Sequence, residues 1–271
     1  MAKKTIKSGE RVRIIACSDF HCGHRAGLTP PVYWESTRLP WGRNQRALWK
    51  WFEKAVAAEG PFDIGLFNSD LIDGPGHKSG SSEHVRVSEV EQMEMALEAI
   101  HVIDAKEAFI TYGTPYHTGI ANDFEALIGK TVKAKHAAHF DLSINGLRFN
   151  VRHHTGRSSI PYGQSPVAKE RMWDALAAIR NGETPADIYI RSHVHQFRIY
   201  GDGDYLAMTL PALQGPGSKF GRRCSGDYTV GFVVFDIDPD GGYQWKLVRA
   251  KLPAGPERAK FVYSHGKTRP S

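Results

Sequence analysis

Acidic and imidazole side chains recur along this chain in five tight groups: Asp19-Phe20-His21, Asp70 with Asp73, His117, His153-His154, and His193-Val194-His195. Each group lies at or just past the end of a short apolar run of strand character. Asp-x-His and His-x-His spacing sets both side chains of a pair on the same side of an extended segment, because strand side chains repeat every two residues. Each pair can therefore face a common centre and chelate. Carboxylates mixed with imidazoles favour Mn, Fe or Zn over Ca, which prefers oxygen alone, and a carboxylate such as Asp70 can bridge two ions.

The elements that must position these groups read as alternating strands and helices. Residues 11–18 carry Val12, Ile14, Ile15 and Ala16 and predict a buried strand that stops just before Asp19. Residues 25–42 are rich in Pro, Trp and Tyr without periodicity, which predicts a long ordered loop over the site, followed by a helix over 44–58. A strand over 62–67 runs into Asn68-Ser69-Asp70. A Gly/Ser/His-rich loop over 74–84 then precedes an amphipathic helix over 88–103 with Val90, Met93, Leu97 and Ile100 as its apolar stripe. A third strand over 108–112 leads to Gly113-Thr114-Pro115-Tyr116-His117.

Asn145-Gly146 is a strong hairpin signal between runs 140–144 and 147–152, and the hairpin delivers His153 and His154. A helix over 167–180 and strands over 187–191, 197–200, 205–210, 229–237 and 243–248 complete the pattern. Three successive strands ending at polar residues, then a β-rich second half, predict an α/β fold of two packed mixed β-sheets flanked by helices. Residues 1–252 form one expected domain. The Pro/Gly-rich residues 253–271 read as a C-terminal tail.

The chain has 271 residues, of which 41% are hydrophobic and 24% charged, a profile that excludes wholesale disorder. Cys17, Cys22 and Cys224 cannot pair completely, and the apolar run over 12–17 is interrupted by Arg13 and too short for a signal segment or a membrane span. A reducing, cytoplasmic setting with no membrane partner is the expectation; the residues leave the oligomeric state open. The net charge of +6 favours an anionic partner such as a phosphate ester or nucleic acid.

The three segments Ser18-Asp19-Phe20-His21-Cys22-Gly23, Ser69-Asp70-Leu71-Ile72-Asp73-Gly74 and Ser192-His193-Val194-His195 resemble, in order, the signatures of calcineurin-like metallophosphoesterases. Each motif is short, and the joint signal comes from their order and their strand-end placement over residues 11 to 200. The resemblance implies two divalent metal ions, Mn foremost with Fe, Zn or Mg as alternatives. Asp19, His21, Asp70 and His195 would hold the first, with Asp70 bridging to a second held by His193 and one of His153 and His154. His154 is favoured because it precedes Thr155-Gly156. Asp73 would orient a ligand by hydrogen bonding. Where the family presents Gly-Asn-His, this chain has Gly113-Thr114-Pro115-Tyr116-His117, so Thr114 is the substitute oxygen ligand, and His117 either binds metal or serves as general acid. Ser69 stands where glycine is usual.

The implied chemistry is hydrolysis of a phosphate ester. Two divalent ions outweigh the charge of two aspartates, and a bridging water ionises near neutrality as its pKa falls to roughly 7. His117 is the expected proton donor to the departing alkoxide. Trp34, Trp41, Trp49 and Trp51 with Arg38, Arg43 and Arg46, and Lys219, Arg222 and Arg223, offer stacking and phosphate contacts to a nucleic-acid or nucleotide diester. A phosphomonoesterase, and a non-catalytic module holding one ion, are the alternatives. His24, His77, His84, His101, His136, His139 and His265 read as ordinary surface or core residues, and Cys22 as a small packing residue.

Overall fold

The computed structural model describes residues 9–76, 80–118, 124–155, 165–218 and 228–252. His77, Lys219, Arg222, Arg223, Cys224, His265 and the tail over 253–271 lie outside the described residues. In chain order the first half contains β1 (Val12–Cys17), α1 (Pro40–Glu59), β2 (Ile64–Phe67), α2 (Glu89–Ile103), β3 (Glu107–Thr111), the single turn α3 (Pro115–Thr118), α4 (Phe124–Val132) and β4 (Lys135–Ala137). The second half contains β5 (His139–Ile144), β6 (Leu147–Arg152), α5 (Ser165–Arg180), β7 (Ile188–Arg191), β8 (Arg198–Gly201), β9 (Leu206–Thr209), β10 (Gly231–Ile237) and β11 (Tyr243–Arg249).

The strands form two mixed sheets, as the sequence pattern predicts. One is ordered β11-β10-β1-β2-β3-β4 and the other β5-β6-β7-β9-β8. In the first, β1 to β4 run parallel, while β10 and β11 are antiparallel to their neighbours. In the second, β6, β7 and β9 run parallel between antiparallel edges.

Side-chain alternation along β1 and β10 builds two cores at once. Val12, Ile14 and Ala16, with Val233, Phe235 and Ile237, face the second sheet and pack on Phe149, Val151, Ile188, Ile190 and Met208. Ile15, Cys17, Phe232 and Val234 face the other way, against Leu48, Trp49, Phe52 and Val56 of α1 and Met95, Ala96 and Ala99 of α2. Burial on both faces is why β1 reads as an almost continuous apolar run. Its parallel pairing with β2 carries the two following polar motifs out of the same sheet edge.

Several sequence expectations shift. α1 begins at Pro40 rather than residue 44, since proline suits the first helical position, where no backbone donor is needed. α2 is capped by Ser88, whose Oγ accepts from Glu91 N at 3.5 Å, but its buried face runs through Gln92, Met95, Ala96, Ala99, Ile100 and Ile103. Of the expected stripe only Ile100 is buried, and Val90 is exposed. α4 and β4 were not expected; β4 is a short strand carrying Lys135 and His136, without an apolar pattern. The hairpin lies where expected. Asn145 and Gly146 both have positive φ, +49° and +86°, and Ile144 pairs with Leu147 across the turn. No helix among the described residues is long and apolar enough to cross a membrane.

Candidate metal centre

The polar groups sit in the loops that leave β1, β2, β3, β6 and β7, and backbone bonds tie the β1 loop to the β2 loop and the β7 loop to the β6 loop. Asp19 N donates to Ser69 O at 2.8 Å, His21 N to Asp70 O at 3.0 Å, Cys22 N to Leu71 O at 3.0 Å and Ser192 N to His153 O at 2.8 Å. The expectation that Asp-x-His and His-x-His are extended is corrected. Asp19, His21, Ser69, Asp70, His193 and His195 all have φ between +44° and +74°. β1 ends at Cys17 and β7 at Arg191, so both pairs lie beyond the ladder. Left-handed conformations cost of order 1–3 kcal/mol at non-glycine residues and gather at functional sites. Here they turn neighbouring side chains inward from tight loops, which achieves the convergence that strand alternation was expected to supply.

Asp19, His21 and His195 form one group, and Asp70, His153 and His193 a second, each with its potential ligand atoms within 4.8 Å of one another. In the first, His195 Nε2 lies 3.2 Å from Asp19 Oδ1 and 3.1 Å from His21 Nε2. In the second, His153 Nε2 lies 3.0 Å from Asp70 Oδ2, and His193 Nδ1 lies 4.0 Å from the same oxygen. A third overlapping group joins His21 to Asp73 and His117.

The preference for His154 over His153 is not carried by this geometry. His153 is buried against Asp70, whereas His154 is exposed, with its ring 4.9 Å from that of His193. The chain leaves β6 at Arg152, and the first residue beyond the strand turns inward. Thr114 stands beside Asp70: its N donates to Oδ1 at 2.7 Å and its Oγ1 to Oδ2 at 3.1 Å, and Oγ1 also lies 3.1 Å from His193 Nδ1. The preceding Gly113 has no room for a side chain, because a Cβ there would fall 2.3 Å from Asp70 Oδ1.

Four histidines are anchored through Nδ1, which leaves Nε2 for the centre. His21 Nδ1 donates to Asp73 Oδ1 at 2.9 Å, His153 Nδ1 to Asn68 O at 2.6 Å, His195 Nδ1 to Tyr228 Oη at 2.5 Å and His117 Nδ1 to Asp73 O at 2.7 Å. Asp19 Oδ1 and His153 Nε2 are buried without an aligned hydrogen-bond partner despite their close neighbours. A buried carboxylate oxygen left without an aligned donor, as Asp19 Oδ1 is, is costly unless something cationic meets it. This donor set, nitrogen and carboxylate oxygen with no thiolate, fits a divalent transition metal.

The electrostatics follow from burial opposed by proximity. Burial alone would raise Asp19, but His195 and His153 hold it at about 2. Asp70 is likewise held well below the usual carboxylate range by His153 and His117 against the effect of burial. Burial pushes His21 down to about 4, while His153, although buried, is raised to about 9 by Asp70 and Asp19. The metal-free centre therefore carries two buried carboxylates compensated partly by a proton on His153.

Residues that the sequence reading passed over brace this centre. Asn68 Nδ2 donates to Ser192 Oγ at 2.6 Å and Arg152 O at 3.2 Å, while its Oδ1 accepts from Thr111 Oγ1 at 2.9 Å. Gln92 of α2 grips Gly74 through both its N and its O, at 2.8 and 3.1 Å. Arg191, fully buried, binds Glu170 at 2.5 Å and Asp174 at 2.7 Å on α5, immediately before the Ser192-His193 turn. Asn68, which adjoins Ser69-Asp70, and Arg191, which adjoins Ser192-His193, carried a positional signal; Gln92 carried none. The loop over 25–42 is largely self-packed: Trp34 donates Nε1 to Thr29 O and lies under Arg46, Trp41 lies under Arg25, and Trp51 packs on Phe232. Trp49 is buried.

No family model matches the chain, and no curated protein matches it. Among solved structures, the chain is similar to a single mutant of Vps29 from Entamoeba histolytica, with 14% identity over 88% of this chain and 99% of that one and a TM-score of 0.45. It is similar to a novel archaeal phosphodiesterase, with 14% identity over 87% of this chain and 99% of that one and a TM-score of 0.44. Wild-type Vps29 from Entamoeba histolytica complexed with zinc matches with 14% identity over 88% and 98% and a TM-score of 0.41. In its own fold and site, this chain is an α/β sandwich of two mixed sheets with a buried aspartate and histidine cluster at the strand ends.

Proposed function

We propose that this chain is a calcineurin-like metallophosphoesterase, a single-domain hydrolase that cleaves phosphate esters with two divalent cations. The observation that supports this best is the convergence of His21, His153 and His195, each anchored through Nδ1, on Asp19 and Asp70, with Asp19 Oδ1 buried and without an aligned hydrogen-bond partner. Asp19, His21, Asp70 and His195 would hold one cation, and Asp70, His153 and His193 the other, with Thr114 beside the second. When bound, the cations supply Lewis acidity toward phosphoryl oxygens and lower the pKa of a water to roughly 7. Asp70 serves both groups, Asp73 keeps His21 in register, and His117, steadied by the Asp73 carbonyl, gives its Nε2 proton to the departing oxygen.

Manganese is the first choice of ion, with Fe, Zn or Mg as alternatives. A phosphodiester of nucleotide or nucleic-acid type is preferred over a monoester on the net charge of +6. The aromatic loop contributes less to this preference than its composition suggests, because its tryptophans are occupied within the fold. Turnover of bis-p-nitrophenyl phosphate and p-nitrophenyl phosphate, with Mn and with chelator, tests the reading. Metal-stimulated cleavage of either ester supports it, diester cleavage supports the preference, and no cleavage of either refutes both.

A non-catalytic module with one cation is a second reading, favoured by Thr114, whose hydrogen bonds already occupy both Asp70 oxygens and His193 Nδ1. One bound Mn per chain without hydrolysis would select it.

A further inference from the structure

His84 reads in the sequence as one ordinary histidine in a polar loop, yet its side chain is fully buried beside the centre. Its Nε2 lies 2.8 Å from Asp73 Oδ2, and the other oxygen of Asp73 lies 2.9 Å from His21 Nδ1. The three side chains thus form one line running from the interior of the loop to the centre. Both oxygens of Asp73 are engaged, so the carboxylate cannot turn about its terminal torsion, which is otherwise broad.

The fold holds this ring in place by two independent means. Arg25 N donates to Glu83 O and Val85 N to Gly23 O, each at 2.8 Å, so His24 and His84 bridge as a short antiparallel pair directly behind His21. Gly76 supplies the space: it has φ +64°, and a Cβ there would fall 2.3 Å from His84 Cε1. The same loop that places the ring is tied to the Gly74 turn, since Gln92 Nε2 donates both to Gly74 O and to Arg86 O. A ring needed only to fill volume requires neither the carboxylate nor the glycine gap.

We propose that His84 is a positioning residue for the metal centre: by donating Nε2–H to Asp73 it locks the carboxylate that fixes the tautomer and ring plane of His21. This rests on the reading of the site as a metal centre. Hydrogen-bonded partners behind a ligating histidine raise its basicity and orient it, and their loss typically weakens metal binding by about 10–100-fold.

The test compares His84→Leu, which keeps apolar bulk without a donor, with His84→Gln, whose amide can still donate to Asp73. Manganese affinity is read by calorimetry, with thermal unfolding of the metal-free forms as the folding control. The expected result is about 10–100-fold weaker Mn binding by His84→Leu and recovery to within about threefold of wild type by His84→Gln. Ring nitrogen NMR of the metal-free wild type adds a readout that no folding defect affects, with His84 expected as the Nε2–H tautomer and His21 as Nδ1–H. Wild-type affinity in His84→Leu, or a proton on Nδ1 of His84 alone, overturns the inference. No Mn binding by the wild type would instead overturn the reading of the centre itself, so the two failures are distinguishable.

Discussion

His21 and His195 meet Nε2 to Nε2 at 3.1 Å, while their Nδ1 atoms are held by Asp73 and Tyr228. With both Nδ1 atoms donating, two lone pairs face each other in a buried site beside the orphaned Asp19 Oδ1. That arrangement is unfavourable unless a cation lies between them, so metal binding is expected to stabilise the fold. At a free concentration of 100 times its Kd, Mn contributes about 2.7 kcal/mol per site. In a chain of this size that raises Tm by about 5–10 °C relative to the chelated protein. Scanning calorimetry checks it, and Asp19→Asn with His195→Gln should abolish the part of the shift that this group contributes.

The proton on His153 gives a second expectation. Its folded pKa of about 9 lies above the ordinary 6.5, so in the metal-free protein the protonated ring stabilises fully below pH 6.5, and this contribution is lost as pH rises through 9. A ligating imidazole must be neutral, so binding near pH 7 should release a proton from His153 but none from His21, whose pKa is about 4. Affinity should therefore rise with pH up to about 9. Calorimetric titrations in buffers of different ionisation enthalpy measure the release.

Asp70 lies with His153 and His193 and is the residue proposed to serve both cations, so Asp70→Asn should cost more than any supporting residue. A loss of hydrolysis beyond the roughly 10–100-fold typical of outer partners is expected, with metal stoichiometry reduced. Steady-state kinetics and metal analysis of the purified variant report the two effects separately.

Gly113→Ala should disturb the same carboxylate without touching its chemistry, because the added Cβ would fall 2.3 Å from Asp70 Oδ1 and 2.9 Å from Asp70 N. Overpacking of this kind costs about 1–3 kcal/mol. Denaturant unfolding should show that loss, and Mn affinity should fall with it.

Arg191 anchors α5 to the loop that carries His193 and His195. Removing a buried charge partner costs about 3–5 kcal/mol, so Arg191→Ala should be strongly destabilised and should lose metal affinity even though Arg191 touches no ligand. Chemical denaturation of the chelated protein isolates the first effect.

The apolar runs were legible because β1, β2, β7 and β10 are buried on both faces, and the hairpin because Asn145-Gly146 permits two consecutive positive φ values. Motif order made the clusters visible. Their local conformation was not visible: Asp19, His21, His193 and His195 adopt left-handed turns that alternation rules do not anticipate. His153 rather than His154 lies with Asp70 and His193 because the end of β6 sets which residue turns inward, and one residue of register is beyond pattern reading. Gln92 and Val90 show the same limit on a helix: a buried glutamine that bonds a turn and an exposed valine invert the expected stripe. Tyr228 meets His195 from 33 residues away, and nothing in the sequence around Tyr228 or His84 marks either residue.

Anomalous diffraction at the manganese edge, from crystals of the Mn-loaded protein, tests the central claim most directly. The account predicts two peaks per chain, both ligated by Asp70, one shared with Asp19, His21 and His195 and the other with His153 and His193. Peaks placed elsewhere, or none among these side chains, would contradict it.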